Sequence, residues 1–221
     1  MELYSKASPF VPDNLISGIA VPLMIKAVKL KKGQGVLKRG SVLGLITKAV
    51  GAIVPGDNTG DAEIAAALIS DNVQAGSYLI VCSAKASGVA ANDAVFSVFA
   101  PDGSRLADAV QGVEYAGGHL IFTIGNATAD DSAIADSFTI AVADGSGLAV
   151  LVDKSKTDGS QNAKCILAID TDTTDADIFQ EVYVKGHLNR LALTVSAGDE
   201  IEDHEGQLES VGIYLSDNIA N

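Results

Sequence analysis

The chain has no tryptophan, and only 5% of its 221 residues are aromatic. Small and β-branched side chains must therefore fill whatever core it builds, and these suit many short strands better than long helices. Two cysteines are too few for a disulfide framework. Cys82 and Cys165 sit in apolar, strand-like runs (78–82 and 165–169) and read as buried free thiols rather than as a bridge. No apolar run reaches the roughly 18 residues of a membrane span. The first ten residues lack an apolar h-region, so no signal peptide is expected, and the protein is expected to be made and used without Sec export. Basic residues are outnumbered 15 to 28, a net charge of −13. That excludes the basic footprint of non-specific nucleic-acid binding and disfavours anionic membranes, so neither is expected as a partner.

What is present is a change of character along the chain. Residues 1–56 carry 8 Lys/Arg against 2 Asp/Glu, residues 57–143 carry 2 against 11, and residues 144–221 carry 5 against 15. The middle also has its own grammar of short apolar runs and Gly/Asp turns. It reads as a module set inside another domain, with edges at Pro55–Asp61 and 144–147, so the two flanks belong together. With 48% hydrophobic residues, a chain of this length supports one large domain or two small ones.

Residues 1–20 show no period and read as an extended arm, one unusually apolar for a tail: Leu3, Tyr4, Phe10, Val11, Leu15 and Ile16. Such an arm docks on a partner or packs on its own domain. Strands are expected over 21–30, 41–47, 76–83, 94–100, 106–110, 112–115, 119–124, 137–142, 148–152, 163–169, 181–185 and 212–215. Residues 63–70 fit a short helix or a strand equally. Residues 197–210 have helical potential, with acidic residues near the start that suit the macrodipole. The short strands and frequent turns of the middle suggest a β-sandwich.

No catalytic constellation emerges. From Asp170, oxygens fall at positions 1, 3 and 5 of an EF-hand-like loop and Glu181 at position 12, but Asp175 stands where the turn needs glycine. A solvated acidic turn is the preferred reading, and no metal or cofactor is expected. His119, His187 and His204 share no ligand spacing and read as surface or partly buried imidazoles. There is no phosphate loop and no nucleophile elbow. Lys26, Lys29, Lys31, Lys32, Lys38 and Arg39 form a basic cluster with two readings of equal weight. One is a solvated face; the other is an electrostatic contact with an acidic partner or a second copy of the chain.

Read together, the flanks give Leu37-Lys-Arg-Gly-Ser-Val-Leu-Gly44, then Lys164-Cys-Ile-Leu-Ala-Ile-Asp170 and the acidic turn. Val182-Tyr-Val-Lys-Gly-His-Leu-Asn189 and Gly212-Ile-Tyr-Leu215 follow. This order resembles the lambda-type head decoration proteins of tailed bacteriophages. The middle is similar to a β-rich insert of phage head and fibre proteins, through 73–81, Phe96-Ser-Val-Phe-Ala-Pro-Asp-Gly103 and 135–142.

The resemblance implies a mainly β fold: a small decoration-protein core with a short helix (21–55 and 144–221), interrupted by an inserted Ig-like β-sandwich (56–143). It implies a non-enzymatic homotrimer made in the host bacterial cytoplasm. That trimer would bind the major capsid protein on the outer surface of the expanded head, through an arm at 1–20, and hold the shell against the pressure of packaged DNA. An alternative of another class is a surface-displayed adhesion or carbohydrate-binding module that meets a host-surface glycan through the sandwich, with Tyr115 and His119 exposed.

Overall fold

Runs of β-branched and aromatic residues bounded by glycine, proline and aspartate give this chain a regular structure made almost wholly of strands. A computed structural model describes residues 14–18, 21–88, 91–128 and 130–217. The first strands are β1 (Ile16–Gly18), β2 (Met24–Leu30), β3 (Val36–Leu37), β4 (Val42–Leu45), β5 (Lys48–Pro55) and β6 (Ala67–Ile69). Next come β7 (Gly76–Ala84), β8 (Val95–Phe99), β9 (Ala109–Val110), β10 (Glu114–Ala116), β11 (Leu120–Thr123) and β12 (Ser137–Asp144). The last are β13 (Ala149–Leu151), β14 (Ala163–Leu167), β15 (Thr171–Asp172), β16 (Ile178–Asn189) and β17 (Ile213–Ser216), with helix α1 (Glu202–Ser210) before β17. The chain divides into two compact units. Met1–Gly44, Ala149–Asp153 and Asn162–Asn221 form the first; Leu45–Leu148 and Lys154–Gln161 form the second.

The first unit is organised on β16. This strand pairs antiparallel with β2 from Ile178↔Leu30 to Lys185↔Met24, and with β14 at Ile166↔Tyr183 and Leu167↔Val182. Its far end pairs antiparallel with β1 at Ile16↔Leu188 and parallel with β17 from Gly186↔Ile213 to Asn189↔Ser216. β14 also pairs with β4, β4 neighbours β13, and β13 meets β2 at Ala149↔Leu30. Five strands therefore close into a ring, and closure removes sheet edges where they pair.

Alternation along the strands makes two faces. Val42, Ile166 and Tyr183 turn outward and pack with Leu15, Leu188, Leu208 and Ile213. Their neighbours Leu43, Leu167 and Val182, all fully buried, point the other way with Cys165, into the ring. A ring this narrow is filled by Leu, Val and Cys, which accounts for the dispensability of tryptophan.

Helix α1 covers the outer cluster with Leu208 and the fully buried His204, one turn apart on one face. It starts later than the sequence suggested. Gly198 takes a φ of 97°, and Asp199 turns inward to His204, so residues 197–201 form a turn instead. Gly212, at φ 90°, ends the helix and leads directly into β17.

In the second unit, a five-stranded sheet (β5-β12-β7-β8-β9) and a three-stranded sheet (β10-β11-β6) share one apolar cluster. Tyr78 and Ile80 of β7, Phe96 and Val98 of β8, and Phe138, Ile140 and Val142 of β12 pack with Tyr115, Leu120 and Phe122 of the smaller sheet. The ambiguous segment 63–70 resolves as a strand, since Ala67–Ile69 pairs with β11. β5 had no clear alternation in sequence. It forms because β12 offers an edge, from Phe138↔Pro55 to Asp144↔Lys48, with a bulge between Ile140 and Val142. Asp136 fastens the loop after β5. Its carboxylate accepts from the amides of Thr59 (2.8 Å), Gly60 (2.9 Å) and Ala133 (2.9 Å).

Both cysteines are free and buried. Burial pushes the Cys165 thiol up to about 12; burial, with the Asp136 charge second, pushes Cys82 up. A thiolate-directed reagent at mildly alkaline pH should label neither cysteine in the folded protein and both in denaturant. Prompt labelling of Cys165 in the native state would contradict the closed ring.

Candidate functional site

The basic cluster and the acidic loop, read separately from the sequence, are partners. β3 pairs with β15 at Thr171↔Leu37 and Asp172↔Val36, which lays the loop along the segment that carries the basic cluster. Asp170 accepts from the Arg39 amide (2.7 Å) and from Lys38 Nζ (2.9 Å). Asp177 accepts from the Lys32 amide (2.9 Å), with Lys29 Nζ 3.4 Å from its other oxygen. Asp172 turns back onto the Thr174 amide (2.9 Å) and hydroxyl (2.6 Å). Arg39 Nε donates to the Ala168 carbonyl (3.0 Å).

These contacts hold all three carboxyls below the ordinary range. The main cause is the Arg39 amide for Asp170, the Thr174 hydroxyl for Asp172 and the Lys32 amide for Asp177. Among the described residues, no group of three or more His, Cys, Asp or Glu is arranged to hold a metal ion.

Lys26 and Lys31 are exposed. Beside the cluster, the β2–β16 ribbon exposes apolar side chains: Met24 (50%), Ile25 (53%) and Phe179 (69%), with Lys29 Nζ 5.9 Å from the Phe179 ring centroid. Among the described residues β2 meets β13 only at Leu30, so most of its second edge has no strand partner. The sequence reading missed this ribbon. Its only signal was that β2 and the start of β16 carry apolar residues on both faces of their alternation.

Of the arm residues, Leu3, Tyr4, Phe10 and Val11 lie outside the described residues. Leu15 is buried in the first unit's own cluster and Ile16 packs against it. Asn189, fully buried, holds this entry point: its Nδ2 donates to the Asn14 carbonyl (2.9 Å) and to Asn14 Oδ1 (3.0 Å).

The histidines separate by role. His119 meets the Tyr78 hydroxyl through Nδ1 (3.0 Å), and His187 lies on β16 opposite Gly18 and Tyr214. His204 departs from the expectation of a surface or partly buried ring. It is fully buried, with Nε2 2.8 Å from Asp199 Oδ2 and Nδ1 3.3 Å from Gln207 Oε1, and Gln207 Oε1 also accepts from the Ala163 amide at 2.6 Å. Tyr115 likewise was expected to be exposed and is 5% exposed, because β10 turns it into the shared core.

The class these features define is a β-rich protein that offers a charged and apolar surface for contact. A model of the family described as Bacteriophage lambda head decoration protein D matches residues 5–213. The chain belongs to that family, whose members are structural proteins of the phage head, and it is a capsid decoration component of the virion. No curated protein matches the chain at a significant level. Two crystal structures of Xanthomonas campestris FlgL, in space groups H3 and C2, align at 17% and 18% identity. They cover 53% and 50% of this chain and 32% and 31% of theirs, each with a TM-score of 0.29. The chain thus spans about a third of those proteins, and a likeness of that depth carries no argument.

Two measurements probe this region. His204→Ala leaves the buried Asp199 carboxylate without its imidazole and should lower the unfolding free energy by about 3 kcal/mol in urea titrations. The lowered carboxyls of Asp170, Asp172 and Asp177 take up protons more readily in the unfolded chain. Their stabilisation is therefore present above about pH 4 and lost as pH falls through the lower folded values. A variant with all three changed to Asn should flatten the dependence of the urea midpoint on pH in that range. An unchanged slope would mean that the clasp contributes nothing.

Proposed function

We propose that this chain is a trimeric cementing protein. It binds the major capsid protein on the outer surface of the expanded phage head and holds the shell against the pressure of packaged DNA. The observation that carries the reading is membership of the head decoration family across residues 5–213. The surface of the first unit supports it: a solvent-exposed ribbon with Met24, Ile25 and Phe179 beside Lys26 and Lys31 suits contact with a shell protein or a sister subunit.

In this reading the first unit is the decoration core and the second is the inserted domain, entered after Gly44, left at Leu148 and joined again by Lys154–Gln161. The insert extends beyond the 56–143 expected from sequence, because β5 is a strand of its larger sheet. The docking arm is the segment before Asn14, since Leu15 and β1 are committed to the core. Three such arms act together through effective concentration, so each contact can be weak. The acidic side chains of the insert keep it solvated. Of the two exposed residues on which the glycan-binding alternative rested, Tyr115 is buried and His119 is half-buried.

The test is a deletion of residues 1–12, which spares Leu15 and β1. The shortened protein should keep its fold and its oligomeric state and lose binding to expanded heads. Unchanged binding overturns the docking arm. A chain that sediments only as a monomer, free and on capsids alike, overturns the trimer.

A further inference from the structure

In β2, Met24, Ile25, Lys26 and Ala27 are exposed in succession, and three of the four are apolar. Successive strand residues point to opposite faces, so neither face is covered there. The second edge is uncovered too. It meets β13 only at Leu30, and among the described residues no other segment bonds the outward N–H and C=O groups of 24–29. Edges of this kind are usually blunted. β5, the long edge of the second unit, carries a bulge and ends in Pro55. β2 has neither: its register is regular from Ile178↔Leu30 to Tyr183↔Ile25, and it holds no proline. What it carries at its middle is Lys26. A lysine on an edge keeps out strands that bring no carboxylate to meet it, so it selects a partner rather than closing the edge.

The pairing with β16 gives each side chain a face. Ile25 stands opposite Tyr183 and Lys29 opposite Phe179, so Ile25, Ala27 and Lys29 share the outer face with those two rings. Lys26 stands opposite Val182, which points into the ring, so it marks the other face. Lys29 is taken up by Asp177, at 3.4 Å. Lys26, Lys31 just past the strand and Lys185 opposite Met24 are exposed, and none has an ion-pair partner among the described residues. In a chain of net charge −13, that is a local excess of positive charge along one open edge.

We propose that the outer edge of β2 receives an extended acidic segment of the shell protein as an added strand. Its main chain pairs with the outward groups of 24–29. Its carboxylates lie beside Lys26 and toward Lys31, and its alternate, apolar residues extend the outer face of Ile25, Ala27 and Phe179. β5, the other long edge, has no carboxylate, so it is not the strand that a second copy would bring. The inference rests on the decoration reading and adds to it a contact separate from the arm.

The test follows amide hydrogen exchange in the full-length protein, free and bound to expanded heads, by mass spectrometry of peptides that cover 24–29. The outward amides should exchange fast in the free protein and about tenfold more slowly on heads. Lys26→Glu should keep the unfolding midpoint, lower the affinity for heads about tenfold and reduce its dependence on salt. Lys164→Glu, at an exposed cation of β14, should leave the affinity unchanged. Bound protein whose 24–29 amides exchange as fast as in the free protein overturns the added strand and leaves the decoration reading standing. Slow exchange already in the free oligomer gives the edge to a sister subunit and overturns the proposal, as does an equal loss of affinity in Lys164→Glu. Wild-type protein that does not bind heads overturns the decoration reading and this inference with it.

Discussion

A twelve-residue strand inside a small domain must find partners for its backbone groups along its whole length. β16 does so by exchanging neighbours part-way. Up to Lys185 it is flanked by β2 and β14; from Gly186 onward it is flanked by β1 and β17. The exchange falls at a glycine, and Leu23 Cδ2 lies 2.5 Å from where a Gly186 Cβ would stand. The ring, the helix that covers it and the attachment of β1 all follow from this strand. The same pairing holds Leu15 and Ile16 at its far end.

Charge is distributed to match. The basic cluster and the acidic loop meet in the fold, through the backbone amides of Lys32 and Arg39 and through ion pairs from Lys29 and Lys38 at the surface. Exposed ion pairs of this kind are worth little in stability. Their effect is to fix the conformation of the 170–177 loop against the segment 29–39, which carries Lys29, Lys32, Lys38 and Arg39. Lys26 and Lys31, which have no such partner among the described residues, lie on or beside the ribbon that also exposes Met24, Ile25 and Phe179.

The second unit shows how an edge is used. β5 has an indistinct pattern and would be a poor strand alone, yet β12 holds it over eight residues. The other outer strands, β9 and β10, are short, and short edges limit pairing with other chains. Tyr115, on β10, has a buried hydroxyl with no hydrogen-bond partner among the described residues.

Alternation and turn residues alone establish that the protein is made of strands and where most of them run. Those are local matters: alternation, β-branching and glycine or proline at turns act over a few residues. The order of weak motifs from Leu37 to Leu215 was also enough to suggest the family. Long-range packing is what buries His204 and Tyr115, brings Asp170 and Asp177 to the basic cluster, and makes 48–55 a strand. Each of these depends on a partner far along the chain (Asp199 is the near exception), and a one-dimensional pattern records a residue's own preference but not what folding brings to its other side.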